Sequence, residues 1–399
     1  MINIKQKSPW IKDIKIKAID IVKNEFFGNT PPTVFVGSKL YPKVNVGILS
    51  PLENKEEAKK YDDPIMWFNE NYSLQKIFEL RSNLINSRFR SHIFDVKKDS
   101  KFLELAQEIS MSFKPTSIEV QLREKLRPKI SVDNFHLPFG PSGEIKKIEA
   151  TENIKLDKNV EKVFYDTDLK SADALKYLNT KGFNENQLSQ LLSIGVTGIK
   201  VNRKLVPTKL SITATDDLLG KDIIKEIKNY DIIKDYRLYF GNYFGNYYLI
   251  FLFPEAWSYE LFESAMPDYL MNKGQEVYTT TDYESYYGRK DYADNTVGGY
   301  YAARLAVLEH LKILNFQGSA LLLRFVSSEY SAPLGVFVVR QAARKTLSVN
   351  SINFDNKKVM LEYGRALILK KFKYDINNLL KRSKMLEIVN KQTRLNQFI

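Results

Sequence analysis

The chain has 399 residues, of which 44% are hydrophobic, and its 60 Lys and Arg exceed its 47 Asp and Glu by 13. This length and composition predict about two to three globular domains rather than a disordered chain. The chain has no Cys and only three His, which excludes disulfides, thiol nucleophiles and cysteine-ligated metals. No apolar run reaches the roughly 18–20 residues that span a bilayer, and residues 1–22 lack the pattern of a signal peptide. We therefore expect a cytoplasmic protein with no membrane partner.

The first third of the chain alternates short β-type runs with helical spacing. Strands are predicted at 33–36, 44–48 and 118–122, helices at 73–89 and 101–111, and a loop or ribbon at 138–160. Gly37 and Pro42 lie in the turns between the first strands.

The middle of the chain predicts two short helices joined through Gly182. The first covers 172–178, and the second starts at Asn184, with Gln187 completing a capping box and Gly195 ending the helix. Such a pair resembles a helix-turn-helix, although ordinary α-hairpins share the pattern. Arg203, just beyond it, is a candidate for DNA contact.

The remainder continues to mix the two periodicities. Strands are predicted at 210–215, 247–253, 321–326 and 336–339, and helices at 218–229, 300–314 and through much of 359–380. Asp216 or Asp217 is expected to cap the helix at 218–229. The fold class is therefore α/β, or mixed α+β. We expect two intimately packed lobes, residues 1–275 and 276–385, followed by a flexible C-terminal peptide at 386–399.

The positive charge is concentrated near the C-terminus. Residues 340–399 hold fourteen Lys and Arg against four carboxylates, and a basic block of this kind indicates a polyanion-binding face. The alternative is a solvated helix surface. The candidate DNA-binding residues in the block are Lys370, Lys371, Lys373, Lys381 and Arg382.

Two further features could contact nucleic acid. Of the 23 Tyr, 14 lie between Tyr236 and Tyr301, and several surround Arg289; exposed Tyr beside Arg suits base stacking, whereas buried Tyr would belong to a core. The Gly298-Gly299 step could present free N–H groups to a phosphate, with Arg304 one turn inside the helix. Its rival interpretation is a tight turn that lets the helix pack.

Carboxylates offer a candidate metal site. Asp166 and Asp168 would share a face if they lay on a strand, and Glu329 could join them through the fold to hold Mg²⁺ or Mn²⁺. Each also has an easy structural role as a cap, turn residue or ion-pair partner. The motifs of P-loop ATPases, dinucleotide oxidoreductases, zincins and α/β-hydrolases are absent.

The last eight residues form the strongest short motif. Gln392, Leu395, Phe398 and Ile399 have the spacing of a peptide that binds the replication sliding clamp, PCNA. A single helical turn would place the three apolar side chains on one side, and Gln392 would occupy a polar pocket. The alternative is a terminus that packs on its own domain.

With these residues in view, the chain resembles the archaeal Nre family of DNA repair proteins, in particular its NreA-like members. The resemblance runs from about residue 30 to 344 and returns at the tail, and the matching stretches are 31–37 with Tyr41-Pro42, 165–170, 205–214, 241–246, 298–309 and 333–340. The resemblance implies a role in DNA damage repair and binding of the sliding clamp, and it supplies no catalytic residues. Many members begin with a Cys-containing element, which this chain lacks.

The leading hypothesis is a DNA repair factor that binds damaged or branched DNA on a basic, Tyr-rich surface and is recruited by the clamp. One alternative is a metal-dependent nuclease or a glycosylase that uses Asp166, Asp168 and Glu329. Another is an adaptor that bridges the clamp to a second protein. A nucleoid-associated location would follow from the leading hypothesis.

Overall fold

The computed structural model describes residues 24–52, 57–98, 100–272 and 274–391. They form two compact units. The first unit comprises residues 24–218 with Ala332–Gly335, and the second unit comprises Leu219–Ser331 with residues 336–391. The lobe boundaries after residues 275 and 385 stay predictions.

The first unit contains a six-stranded mixed sheet. Its strands are β1 (Glu25–Thr30), β2 (Val34–Val36), β3 (Lys43–Ser50), β4 (Ile85–His92), β5 (Thr116–Leu122) and β6 (Ser142–Ala150). They lie in the order β1-β5-β6-β4-β3-β2. Only the β4–β6 pairing is parallel among those described in this sheet.

Six helices belong wholly to the first unit as the structure describes it. They are α1 (Pro64–Asn69), α2 (Leu74–Ser82), α3 (Lys101–Met111), α4 (Lys158–Tyr165), α5 (Ser171–Thr180) and α6 (Glu185–Ser193). Arg81, on α2, forms a buried ion pair with Asp62 at 2.8 Å inside this unit. A seventh helix, α7 (Thr208–Ile227), carries the chain onward to the second unit.

The second unit contains another six-stranded mixed sheet. Its strands are β7 (Tyr236–Tyr243), β8 (Asn246–Phe253), β9 (Tyr259–Ala265), β10 (Tyr278–Glu284), β11 (Ser319–Val326) and β12 (Ile352–Phe354). They lie in the order β10-β9-β11-β8-β7-β12, with β9 and β11 parallel. The central strands β8 and β11 are buried along their whole length.

The helices of the second unit are α8 (Val297–Leu314), α9 (Val336–Leu347), α10 (Lys357–Phe372), α11 (Asn377–Arg382) and α12 (Lys384–Lys391). Apolar side chains from α10, α11 and α12 form one core with Leu249, Phe251 and Phe325 of the sheet. The alternate residues of the strands face α8, where the Tyr259 hydroxyl donates to the Tyr300 carbonyl. The sheet is therefore covered by helices on both faces.

A carboxylate from the sheet holds the start of α12. Glu260 on β9 is fully buried and accepts hydrogen bonds from the Ser383 hydroxyl at 2.5 Å, the Lys384 amide at 3.1 Å and the Met385 amide at 3.0 Å. An anion at a helix N-terminus satisfies N–H groups that have no partner within the helix. The last described helix is thus fixed to an interior strand.

The structure confirms the mixed α+β class, with twelve α-helices and two mixed sheets among the described residues. It also confirms the helix at 101–111, the strands at 118–122, 247–253 and 321–326, and the capping box of α6 on Asn184 and Gln187. No helix in the described ranges is long and apolar enough to cross a membrane.

Four predicted elements differ from the structure. The helix predicted at 73–89 ends at Ser82, and its second half is β4. The region 138–160, predicted as a loop or ribbon, holds the strand β6 and the start of α4. The apolar run 336–339 lies in α9, because a buried helix and a buried strand have the same apolar appearance over four residues.

The fourth error is the strand predicted at 210–215, which lies inside α7. Its β-branched residues favour a strand, but the hydroxyls of Ser211 and Thr213 donate to backbone carbonyls three and four residues earlier, within the helix. Asp216 and Asp217 therefore lie in the interior of this helix and not at its start.

Candidate nucleic-acid interface

Helix α10 is amphipathic, and its packing determines which side carries the charge. The Asn356 side chain caps it by accepting from the amides of Lys358 and Val359. Met360, Gly364 and Ile368 are its buried residues and recur every four positions, on one face. A Cβ at position 364 would lie 2.5 Å from the Phe251 ring, so glycine lets the helix approach the sheet closely. The lysines on its other side consequently face solvent.

The three C-terminal helices carry a strong excess of positive charge. Between residues 357 and 391 there are ten Lys and Arg against three carboxylates, a net charge of +7. All five residues predicted from this block to bind DNA are exposed in the structure, namely Lys370, Lys371, Lys373, Lys381 and Arg382. They lie in the last turns of α10 and α11 or directly after them, where cations also interact favourably with the helix dipole.

Some cations of these helices are already neutralised. Arg365 forms a two-pronged pair with Asp375, with both N–O distances 2.8 Å. Lys371 lies 3.9 Å from Glu329 and 4.7 Å from the centre of the Tyr247 ring, and its interactions with Tyr247 and Glu329 raise the pKa of its ammonium group. These contacts reduce the charge available to a partner.

The other four predicted cations form no ion pair within the described residues. Within the part of the chain that the structure describes, no carboxylate lies within ion-pair distance of Lys370, Lys373, Lys381 or Arg382. Side chains that are exposed and unpaired are the ones that can exchange their counterions for phosphates. We call these four residues the basic cluster.

A second exposed feature is the turn after β10. Tyr287 is 92% exposed and Tyr286 is 39% exposed. The ammonium of Lys228 lies 4.1 Å from the centre of the Tyr286 ring and donates to the Tyr286 carbonyl at 2.6 Å. An exposed aromatic ring held beside a cation suits stacking on an unpaired base. Most other tyrosines of the 236–301 region are buried, so both interpretations of the Tyr-rich segment apply, each to different residues.

Arg289 holds this turn in place. Its guanidinium donates to the carbonyls of Tyr283 at 2.9 Å and Tyr292 at 3.0 Å, and it lies 3.2 Å from Asp282. Asp282 in turn accepts from the Thr296 amide just before α8. The predicted DNA contact of Arg289 would therefore compete with the bonds that shape the turn.

Arg304 lies in the interior, which contradicts its predicted place on a DNA-binding surface. Its side chain is 2% exposed and pairs with fully buried Glu284 at 2.7 Å. Glu284 also accepts from the Tyr300 hydroxyl at 3.0 Å and the Trp257 indole at 3.1 Å. A charge this deep is paired and hydrogen-bonded because burying it alone is too unfavourable.

The Gly298-Gly299 step also has a packing role. Both residues lie inside the first turn of α8, and a Cβ at position 299 would be 2.4 Å from a carboxylate oxygen of Glu263. Two carboxylates, those of Glu263 and Asp282, are thus already close to this end of the helix. The rival interpretation of the sequence, a turn that lets the helix pack, is the one the structure supports.

The helix pair α5–α6 is present as predicted, but Arg203 is not on its surface. Arg203 is 6% exposed, and it donates to the carbonyls of Gly198 at 2.7 Å and Asp166 at 3.0 Å. Its guanidinium lies 5.1 Å from the centre of the Phe164 ring. Burial lowers the pKa of this guanidinium from its ordinary value. Arg203 therefore fastens the first unit together rather than facing a partner.

The candidate metal ligands do not lie on a strand. Asp166 ends α4 and accepts from the amides of Asp168 and Leu169 in an exposed turn. Glu329 belongs to the second unit, where it accepts from the Tyr247 hydroxyl at 2.8 Å and 2.9 Å. Among the described residues, no group of three or more His, Cys, Asp or Glu could hold a metal ion. The turn and ion-pair roles weighed for these residues are the ones observed.

The predicted clamp-binding residues Gln392, Leu395, Phe398 and Ile399 lie outside the described residues. Sequence reasoning also missed two features that the structure brings together. One is the contact between Lys228 and Tyr286, which are far apart in the chain. The other is a cavity beside Lys170 and Lys204, for which the only sequence signals are two glycines, Gly195 and Gly198.

Two family models match the chain and together cover most of it. "Archaeal Nre, N-terminal" matches residues 6–272, and "Archaeal Nre, C-terminal" matches residues 284–398. No solved structure matches significantly.

Curated relatives agree with these matches. The chain is 36% identical over 343 residues to a protein of Archaeoglobus fulgidus named DNA repair protein NreB, covering 86% of this chain and 85% of that one. It is 33% identical over 326 residues to DNA repair protein NreA of Haloferax volcanii, covering 80% and 78%. A DNA repair protein NreA of A. fulgidus is 35% identical over 343 residues, covering 86% and 83%.

Proposed function

Because the chain belongs to the archaeal Nre family, we propose that it acts in DNA repair by binding damaged or branched DNA through the basic cluster and the exposed Tyr286–Tyr287 turn. The names of its relatives support the repair role. In this proposal the cations supply affinity for the phosphate backbone, and the tyrosines favour DNA that has unpaired bases.

The observation that carries the proposal is the state of the basic cluster. Lys370, Lys373, Lys381 and Arg382 are exposed and lack ion-pair partners among the described residues. Each cation that meets a phosphate releases condensed counterions, so binding should weaken steeply as salt is added. A surface that served only for solubility would show no such linkage.

A salt titration tests this. Replacing the four residues of the basic cluster with Gln should flatten the plot of log K against log salt concentration by about 3 to 4 on duplex DNA, because each phosphate contact contributes roughly 0.9 to the slope. Fluorescence anisotropy with labelled duplex, gapped and branched DNA would measure it. The matched control replaces Lys76, Lys125, Lys129 and Lys146 with Gln, since these are also exposed but belong to the first unit.

Equal salt slopes for the wild type and the cluster variant would refute the proposed surface. An equal loss of slope in the control variant would show a nonspecific effect of net charge.

For the tyrosine turn, Tyr287→Ala should reduce the preference for gapped over duplex DNA and leave duplex affinity unchanged, because a stacked base is worth roughly 1–3 kcal/mol.

We further propose recruitment by the sliding clamp through the C-terminal peptide. Its support is the spacing of Gln392, Leu395, Phe398 and Ile399 in the sequence, which matches a peptide that enters one apolar pocket as a single helical turn. Phe398→Ala and Leu395→Ala should each weaken clamp binding by about 1–3 kcal/mol, as expected for buried anchors.

Calorimetry with the cognate clamp tests this second part. Deletion of residues 392–399 should abolish clamp binding and leave thermal stability and DNA binding almost unchanged. Asn396→Ala is the matched control and should have little effect. If the shortened chain binds the clamp as tightly as the full chain, the motif is a coincidence. In the part of the chain that the structure describes, Asp166 and Asp168 serve as turn residues and Glu329 as an ion-pair partner, which does not favour the nuclease or glycosylase alternative.

A further inference from the structure

The sheet of the first unit closes on itself. Its two outermost strands, β1 and β2, follow one another in the chain and are separated by residues 31–33. β1 pairs with β5, whereas β2 pairs with β3 at the other side of the sheet. Between them, the Asn29 amide donates to the Pro51 carbonyl at 3.2 Å, and the Leu49 amide donates to the Thr33 carbonyl at 3.1 Å. β1 and β2 therefore act as one bent strand that joins both sides of the sheet into a barrel.

The connectivity of this barrel is that of the OB-fold. With β1 and β2 counted as the first strand, the second to fifth strands are β3, β4, β5 and β6, and their order around the barrel is 1-2-3-5-4. The third and fifth strands form its parallel pair. Helix α3 lies between the third and fourth strands in the chain and packs against β2, β3 and β6. The outer face of the second and third strands of an OB-fold binds oligonucleotides or oligosaccharides. Because a fold alone does not establish function, the residues on that face decide.

In this chain the outer face of β3 and β4 carries three exposed cations, Lys43 on β3 and Arg88 and Arg90 on β4. We call them the barrel cations. Positions 43, 45 and 47 of β3 lie opposite positions 92, 90 and 88 of β4, so the three cations lie on the same face. The alternate residues of β3 are fully buried on the other face of the sheet, namely Val44, Val46 and Ile48.

The barrel cations form no ion pair within the described ranges. Carboxylates in the neighbouring segments pair with other cations. Glu144, opposite Arg88 on β6, lies 3.4 Å from Arg123, and Asp95, just after β4, lies 3.0 Å from Lys98. The charge of this face therefore complements a polyanion such as a nucleic acid strand, whereas an uncharged oligosaccharide would offer these cations no counter-charge.

Two exposed aromatic rings lie at one end of the same face. Tyr41, in the turn before β3, is 59% exposed, and Phe94, just after β4, is 48% exposed. The Ile93 amide donates to the Pro42 carbonyl at 3.0 Å, which holds the two segments next to each other. Cations that follow a phosphate backbone, together with aromatic rings on which bases stack, are the combination that binds single strands without sequence preference.

We propose that the outer face of β3 and β4 binds single-stranded DNA, with the barrel cations on its phosphates and Tyr41 and Phe94 stacked on its bases. This inference rests on the proposed role in DNA repair and adds a second DNA contact, in the first unit, that is selective for unpaired strands. A duplex offers the two rings no free base, because its bases are already paired and stacked. An OB-fold accommodates about 4–16 nucleotides of such a strand.

Fluorescence anisotropy with a labelled oligo(dT) of about 15 nucleotides, within the site size of one OB-fold, and with a duplex of equal length tests the cations. Lys43→Gln with Arg88→Gln and Arg90→Gln should weaken binding of the single strand by at least about tenfold. It should also flatten the plot of log K against log salt concentration by about 2, because each phosphate contact contributes roughly 0.7 on single strands. The affinity for the duplex should stay within about twofold of wild type.

The matched control replaces three exposed cations of the first unit that lie outside the barrel, Lys76, Lys158 and Lys181, with Gln. It should bind the single strand within about twofold of wild type. Both triple variants change exposed side chains, so their melting temperatures should match the wild type, and a loss of binding is then not a loss of folding.

A second pair of variants tests the rings. Tyr41→Ala should weaken binding of the single strand by roughly five- to hundredfold, as expected for the loss of one stacked base. This loss should persist when Tyr287→Ala is also present, since Tyr287 belongs to the second unit. Phe27→Ala is the matched control, because Phe27 is 69% exposed on β1 of the same barrel, away from β3 and β4. It should leave the affinity unchanged.

Unchanged binding of the single strand by the barrel-cation variant and by Tyr41→Ala would overturn the inference. Equal losses in the two controls, or tighter binding of the corresponding RNA strand, would also overturn it. If the wild type binds the duplex through the basic cluster but binds no single strand, this inference fails and the proposed surface stands. If the basic-cluster variant keeps its full salt slope on duplex DNA while the barrel-cation variant loses the single strand, the proposed surface fails and this inference holds.

Discussion

Removing the guanidinium of Arg304 should unfold the protein rather than weaken its contact with DNA. The Arg304–Glu284 pair is almost fully buried, with side chains 2% and 0% exposed. Without Arg304, the Glu284 carboxylate would keep two neutral donors among the described residues, the Tyr300 hydroxyl and the Trp257 indole. Breaking a buried pair by removing one partner typically lowers the free energy of unfolding by about 3–5 kcal/mol. We expect a loss of this size for Arg304→Ala.

The assay is urea denaturation followed by circular dichroism. Arg304→Met combined with Glu284→Gln is the informative second variant, because it removes both charges while keeping most of the volume. It should recover much of the lost stability, since replacing a buried ion pair as a whole is often close to neutral. This double variant also keeps the test interpretable if Arg304→Ala does not fold.

The opposite pattern would refute the reasoning. If Arg304→Ala is as stable as the wild type but binds DNA more weakly with a flatter salt slope, Arg304 contacts phosphate and its burial here does not describe the functional protein. Lys373→Ala serves as the comparison, because it removes an exposed cation of the basic cluster. That change should leave stability within about 0.5 kcal/mol of the wild type.

Three further predictions concern stability. Burial depresses the pKa of His310 to about 4, whereas a histidine in the unfolded chain has a pKa near 6.5. Between these pH values the unfolded chain is protonated at this site and the folded chain is not, so the free energy of unfolding should fall by about 2 kcal/mol between pH 7 and pH 5. Urea titrations should show that this pH-dependent component is missing in His310→Gln. Asn184→Ala should lower the free energy of unfolding by about 1 kcal/mol through loss of the α6 cap, whereas an equal loss in Asn186→Ala would contradict the role of the cap. Gly364→Ala should lower the melting temperature, at a cost of about 1–3 kcal/mol, because its Cβ meets the sheet; Ala366→Ser, at an exposed position of the same helix, should change it little.

Local patterns in the sequence predicted those elements whose signals do not depend on the rest of the fold. The capping box at Asn184 and Gln187 uses residues three apart, and the structure shows both of its hydrogen bonds. The exposure of Lys370 and Lys373 follows from the apolar spacing of α10, which faces its lysines away from the core. Continuous apolar runs flanked by turns likewise identified β8 and β11.

Other features depended on residues that are distant in the sequence. Arg304 resembled a phosphate contact beside two glycines until the fold placed Glu284 next to it. Arg203 followed a helix pair typical of DNA-binding proteins, but its hydrogen bonds go to carbonyls of the first unit. The cavity beside Lys170 and Lys204 could not be predicted, because its walls come from segments whose approach depends on Gly198 and on the burial of Arg203.

The attachment of α12 to Glu260 also has a mechanical meaning. A pulling force applied to the chain at Lys391 would reach the sheet through the hydrogen bonds that Ser383, Lys384 and Met385 make with Glu260. Glu260 belongs to β9, which is paired with β10 on one side and β11 on the other. The load would therefore spread across three strands, so tension at this end, such as the proposed clamp recruitment would exert, would reach the sheet without first separating α10 and its lysines from it.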